Sequence, residues 1–176
     1  MLNKIKRIFI KWLLYAMLGW LVLSLLIVLP FRWLNPPVSM VMLERWLTHD
    51  DYSIQQTWLS WDEMPKKAAL AVITSEDPRF PLHQGFDVDA LMKALNEAEE
   101  GGRLRGASTI SQQVAKNMFL WTGRSWLRKG LEVWFTSLIE VTWGKQRILE
   151  VYMNIAEWGP GVFGIAAASQ YPFGKR

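Results

Sequence analysis

Apolar and polar residues are spread very unevenly along the 176-residue chain. From Trp12 to Leu29 no side chain is charged. With Ile8, Phe9 and Ile10 in front, the run is long enough to cross a hydrocarbon core of about 30 Å as a helix. It is apolar all round, which argues against the core helix of a soluble domain. A cleavable signal sequence would have a shorter apolar core and small residues at its end, whereas this run closes on the bulky "IVLPFRW". The pattern predicts a tail over 1–7, a transmembrane helix over 8–30, a juxtamembrane connector over 31–61 and a folded domain over 62–176.

Within that domain the spacing is helical. Asp62 is the expected N-cap before "EMPKKAALAVITSED", with Pro65 in the first turn. Val88, Leu91, Met92 and Leu95 repeat at helical spacing and predict a helix over 87–100. The segment "EEGGRLRG" (99–106) breaks it. Helices are expected over 109–120, 125–143 and 145–156, with Ser125 capping the one it opens. Glycines at 159, 161 and 164 punctuate a loop, and neither an internal repeat nor a run of alternating strand residues is evident. The fold class is mainly α.

Composition narrows the picture. An apolar share of 51% excludes a disordered chain, and the absence of cysteine excludes disulfides, thiolate metal sites and a cysteine nucleophile. Eleven tryptophans favour a membrane–water interface, and Trp33, Trp46, Trp58 and Trp61 read as packing or interfacial anchors. The net charge of +4 resides entirely in Lys4, Lys6, Arg7 and Lys11, because the first acidic residue is Glu44. A general nucleic-acid binder is therefore disfavoured, and no nucleic-acid partner is expected. Four basic residues before the apolar run and only Arg32 close behind it place the N-terminus in the cytoplasm. The domain is then expected in the periplasm, anchored to the inner membrane by a single span.

Four polar stretches carry candidate chemistry. In "SEDPRFPLHQG" (75–85), Glu76 and Asp77 end an apolar helix, where a carboxylate opposes the dipole. Burial there would suit one of them to general-base work, and a solvated acidic pair is the alternative. In "GASTISQQVAKN" (106–117), Gln112, Gln113, Lys116 and Asn117 share one side of a helix, leaving Ile110, Val114 and Met118 to pack. Ser108 and Thr109 would cap that helix and, with a lysine one turn in, make an anion site; an ordinary capped amphipathic helix is the alternative. Arg103, Arg105, Lys116, Arg124, Arg128 and Lys129 lie between Glu100 and Glu132 with no acid among them, which suits a phosphate or pyrophosphate. In "RKGLEVWFTSLIE" (128–140), Leu131, Trp134, Phe135, Leu138 and Thr142 are expected on the core face. Glu132 falls at its rim and Glu140 on the polar side, so Glu132 is the better candidate for a carboxylate in a cleft, an ion pair with Arg128 being the alternative.

Taken in order, these stretches resemble the peptidoglycan glycosyltransferases of family 51, and among them the monofunctional membrane-anchored transglycosylases. Glu76-Asp77-x-x-Phe80-x-x-His83-x-Gly85 is similar to the first family motif and Gly106 to Asn117 to the second. Arg128-Lys129-x-x-Glu132 is similar to the third, and "KQRILEVYMNIAEWG" (145–159) to the fourth. The resemblance implies a mostly helical, lysozyme-like fold and an enzyme that polymerises lipid II into β-1,4 glycan with inversion, releasing undecaprenyl pyrophosphate. It implies that Glu76 is the general base and Glu132 the second catalytic glutamate, acting near the pyrophosphate. Lys116, Arg124 and Arg128 would hold the pyrophosphate, with Asp77, Ser108, Gln112, Gln113 and Asn117 among the substrate-binding residues. No protein-held metal is implied, although a divalent cation, magnesium or manganese, remains open. Expected partners are lipid II, the growing glycan, the membrane, and proteins of the division or wall-synthesis machinery.

Two rival readings follow. A glycan-cleaving enzyme would share the lysozyme-like fold but has no pyrophosphate to bind, which the cation-rich 103–129 segment argues against. Family members continue for some tens of residues beyond the position of Arg176, and an aromatic pair is expected where Tyr171-Pro172-Phe173 stands. The chain is therefore expected to be truncated at its C-terminus, with an inactive remnant or membrane scaffold as the alternative function.

Overall fold

The computed structural model describes residues 2–48, 53–99 and 108–171, in two compact units, Met1–Leu34 and Asn35–Arg176. The first unit is helix α1 (Leu2–Val28) and a 3-10 turn over Leu29–Arg32. Pro30 sits in the first positions of that turn, where a missing N–H breaks no hydrogen bond. The helix starts at Leu2, so the expected tail and span form one element, as lysine and arginine are good helix formers. Within residues 4–32 an 18-residue stretch has a mean hydropathy of 2.4, and most apolar side chains of α1 are exposed. This helix is long and apolar enough to cross a membrane.

The second unit holds α2 (Met40–Thr48), β1 (Gln55–Gln56), α3 (Lys66–Glu76), α4 (Val88–Glu99), α5 (Ile110–Phe119), α6 (Trp126–Thr142), α7 (Lys145–Ile155), β2 (Glu157–Gly159), β3 (Val162–Phe163) and α8 (Gly164–Gln170). Short α5 is its centre and packs on α6, α7 and α2. Ile110 and Val114 of α5, Ile139 of α6, and Ile148, Val151 and Met153 of α7 are fully buried. The same ten-residue helix thus supplies the core on one side and polar groups on the other.

Four predicted helices appear within a residue or two of their expected ends, and Asp87 and Ser125 cap α4 and α6 by accepting from Ala90 N and Arg128 N. The start of α3 differs. Pro65, not Asp62, occupies the N-cap position and the helix begins at Lys66. Proline disfavours the helical conformation in the residue before it, so a helix cannot run through Met64. A small sheet was not legible in the pattern: β3 lies between β1, to which it is parallel, and β2, to which it is antiparallel. Strands of two or three residues are too short to show alternation.

The expected connector is largely domain. Asn154 is fully buried and its side chain accepts from Leu59 N (2.8 Å) and donates to Leu59 O (2.9 Å), while Gln56 Nε2 donates to Asn154 O (3.0 Å). The compact unit therefore begins near Asn35 rather than at residue 62. Arg103, Arg105, Gly106, Pro172 and Phe173, which entered the sequence reading, lie outside the described residues.

Candidate active site

The acidic pair at the end of α3 is split by the turn that follows. Glu76 is exposed, and its Oε2 accepts from Gln113 Nε2 at 3.0 Å. The burial expected for a general base is absent at Glu76; it belongs to its neighbour. Asp77 is 4% exposed and accepts from Ile110 N and from His83 Nε2, each at 3.0 Å. Asp77 thereby fixes the first residue of α5 against the end of α3, which is a task different from lining a cleft. Its placement explains how two helices far apart in sequence keep Glu76 and Gln113 within reach.

The turn after Asp77 closes tightly on α6. Gly85 has φ +86°, and a Cβ there would stand 2.9 Å from side-chain carbons of Thr136 and Glu140. Its carbonyl accepts from Thr109 Oγ1 at 2.7 Å. Thr109 is the N-cap of α5 and forms a reciprocal capping box with Gln112: Gln112 N donates to Thr109 Oγ1, and Thr109 N donates to Gln112 Oε1. Gln112 is thus buried in the cap, apart from Gln113, with which the sequence pattern had grouped it. Ser108 is exposed and lines, with Gln112 and Lys129, a cavity of about 180 Å³ bounded by α4.

Gln113, Lys116 and Asn117 are half-buried and do share a wall, that of a polar cavity of about 220 Å³. Arg45, Thr122, Tyr152 and Glu157 add further polar groups to it, and none of these four was singled out by the sequence pattern. Arg45 Nε donates to Glu157 Oε2 at 3.2 Å across the cavity rim. Glu44 beside it accepts from Thr122 N at 2.7 Å, which ties α2 to the loop carrying Arg124. Arg124 itself is exposed. Arg45 and Glu44 carried no signal because their segment reads as connector; Tyr152 stands inside the fourth motif.

On α6 the charged groups gather around Glu132. Arg128 Nη1 donates to its Oε2 at 2.7 Å and Lys129 Nζ to its Oε1 at 2.5 Å. The rim position expected for Glu132 is corrected: the residue is 3% exposed and shares the buried face with Phe135, Thr136 and Ile139. Glu140, expected on the polar side, is likewise turned inward, where it accepts from Ser111 Oγ and from Lys145 Nζ at 2.8 Å. The face is rotated because α6 is packed against α5 on one side and α7 on the other, and every carboxylate it buries has a partner. Arg128 Nε is buried without a hydrogen-bond partner among the described residues.

Lys116 belongs to the same electrostatic group. Burial holds its ammonium below the usual lysine range; Glu132 works against that shift, and Arg128 and Lys129 add to it. One wall of α5 therefore presents, at Gln113, an amide donor to the Glu76 carboxylate and, at Lys116, a crowded cation. These residues do not by themselves make a cation site. Both Glu132 oxygens are engaged by cations, and among the described residues no three His, Cys, Asp or Glu side chains converge. A wider cavity of about 680 Å³, between residues 81–84 and the junction of α6 and α7, contains none of the predicted site residues.

Comparison with known proteins identifies the family. The family model described as Transglycosylase matches residues 43–176, which include most of α2, all of α3 to α8 and every candidate residue. A biosynthetic peptidoglycan transglycosylase of Chromohalobacter salexigens is 58% identical over 94% of this chain and 72% of its own length. Its counterpart in Pseudomonas aeruginosa is 53% identical over 99% of this chain and 75% of its own length, and one in Stutzerimonas stutzeri is 55% identical over 90% and 67%. With a matched segment that contains the whole polar wall of α5 and the charged start of α6, the chain belongs to the transglycosylase family and is a glycosyltransferase.

Proposed function

We propose that the chain polymerises lipid II into β-1,4 glycan strands of peptidoglycan, with inversion and release of undecaprenyl pyrophosphate. The names of its relatives support peptidoglycan as the product. The observation that carries the finer reading is the division of labour along α5: Gln113 donates to Glu76, and one turn on Lys116 lies in the electrostatic field of the Arg128–Lys129–Glu132 group. A glycosyl transfer from a pyrophosphate needs a base at one end and fixed positive charge at the other.

In this reading Glu76 accepts the proton of the acceptor's 4-hydroxyl while that oxygen forms a bond to the donor's anomeric carbon. The bond from that carbon to the pyrophosphate oxygen breaks, and the leaving group departs with the electron pair. Lys116, Arg124 and Arg128 stabilise the charge that develops there. Glu132 holds Arg128 and Lys129 in place for this task, and Ser108 and Asn117 line the flanking walls. α1 crosses the inner membrane with its N-terminus in the cytoplasm, so that the active unit meets its lipid-linked substrate from the periplasmic side.

The test is polymerisation of labelled lipid II by this chain and by Glu76→Gln. The expected result is glycan from the parent and none from the variant. Equal activity of the two would remove Glu76 from the role of base, and silence of both would favour a non-catalytic scaffold.

A further inference from the structure

The link between Gln113 and Glu76 does not end at Gln113. Tyr152, on α7, is 5% exposed, and its hydroxyl donates to Gln113 Oε1 at 3.4 Å. The three side chains form a line from the core to the cleft: phenol, amide, carboxylate.

An amide has one accepting end and one donating end, and a half-turn of its terminal torsion exchanges them. An ionised carboxylate only accepts. Gln113 can therefore support Glu76 only with its NH₂ group turned outward, which leaves Oε1 facing the interior. There the partner must donate. A phenol does, provided it keeps its proton: burial, and second the negative charge of Glu76, push the Tyr152 hydroxyl well above the usual tyrosine range, so it remains a donor throughout the physiological range. Glu76 sets the orientation of the amide, since the reverse one opposes two acceptors; the phenol supplies the donor that holds Oε1 from behind, and without it the side chain loses that anchor.

We infer that Tyr152 is a positioning residue of the transfer reaction: its buried hydroxyl anchors the Gln113 side chain through Oε1, so that the NH₂ group stays in place on Glu76. The inference rests on the reading of Glu76 as the base. A separation of 3.4 Å is long for an O–H···O bond, as is common for catalytic hydrogen bonds before substrate binds. Tyr152 lies behind Gln113 and acts through it. Its removal is expected to lower turnover and to leave substrate affinity almost unchanged, since Lys116, Arg124 and Arg128 hold the pyrophosphate independently.

The experiment uses the full chain and initial rates of lipid II polymerisation over a range of lipid II concentrations. Tyr152→Phe is expected to lower kcat about tenfold with KM within twofold of the parent. In a Gln113→Leu background the same substitution should have no further effect. Packing is separated from donation by two unnatural side chains that both fill the hydroxyl's space. 4-Aminophenylalanine at position 152 retains a donor and should restore turnover, whereas 4-methylphenylalanine has none and should not. Equal turnover of these two chains, or a full Tyr152→Phe loss persisting in Gln113→Leu, would overturn the inference. Glu76→Gln is measured alongside. If it is active, the base assignment fails; if it is silent while Tyr152→Phe matches the parent, only the role of Tyr152 fails.

Discussion

Glu76 and Glu132 stand on helices either side of the same polar wall, yet their surroundings are opposite. Glu76 ends α3, is open to solvent, and among the described residues has one neutral amide as its hydrogen-bond partner. Glu132 lies in the second turn of α6, is 3% exposed, and has a cation on each oxygen. A carboxylate that must take up and release a proton gains from being lightly held and reachable. One whose negative charge keeps cations in place must be locked and dry. In the proposed mechanism the contrast separates chemistry from scaffolding within one site, and each substitution below acts on one side of it.

The largest effect is expected at Glu76. Glu76→Gln removes the proton acceptor and changes no buried contact, so turnover should fall by about a thousandfold or more while the melting temperature stays within a degree or two. Glycan yield and thermal unfolding measured on one preparation check both halves. Glu132→Ala should reverse the emphasis. It leaves Arg128, whose side chain is 12% exposed, facing Lys129 with no anion between them, and should lower stability by about 3 kcal/mol along with the loss of activity. A Glu132→Ala chain as stable as its parent would mean that Glu132 is not a structural counter-ion.

How much of this contrast could be read from the sequence depends on what kind of fact it is. Glu76, Gln113, Lys116, Arg128 and Glu132 were legible because residue types at fixed spacing define a helix face and a charge cluster. The helices themselves were legible because Val88, Leu91 and Met92, or Ile110, Val114 and Met118, repeat with the helical period. What escaped was burial set by a third element. Nothing in "SED" says that the turn throws Glu76 out and Asp77 in; that follows from Asp77 reaching Ile110 N, 33 residues away. The rotated face of α6 escaped for the same reason, because Ser111 and Lys145, which receive Glu140, sit on two other helices. Arg45 and Tyr152 reach the polar cavity only once α2 and α7 are docked on α5.

Lys116 tests the cost of assembling the cations. Its folded pKa is lowered below the ordinary lysine value, chiefly by burial, so the native state binds fewer protons than the unfolded chain in the window between them. Stability should therefore rise with pH through that window, and below it the charged form should cost stability. Lys116→Met removes the charge and keeps the stem. It should raise stability at neutral pH by about 1 kcal/mol, abolish the alkaline rise, and reduce glycan synthesis at least a hundredfold. Unfolding curves at pH 7 and pH 10 check the sign.

The smallest effect is expected at Lys129, and it makes the contrast within Glu132's own pair of cations. Lys129 Nζ is the closer of the two to the carboxylate, at 2.5 Å against 2.7 Å for Arg128, yet its side chain is 42% exposed. Proximity and burial therefore predict different things. Where the cation is exposed, water and salt screen its side of the attraction and the long side chain loses freedom by forming it, so Lys129→Ala should cost no more than about 0.5 kcal/mol. Arg128 remains as the buried counter-ion and Glu132 stays satisfied on Oε2. Raising the salt concentration should erase what difference there is between the parent and Lys129→Ala, because only the screened half of the site has been changed. A loss near 2 kcal/mol, insensitive to salt, would show that burial of the carboxylate governs both pairs, and that exposure of the cation is irrelevant to what it contributes.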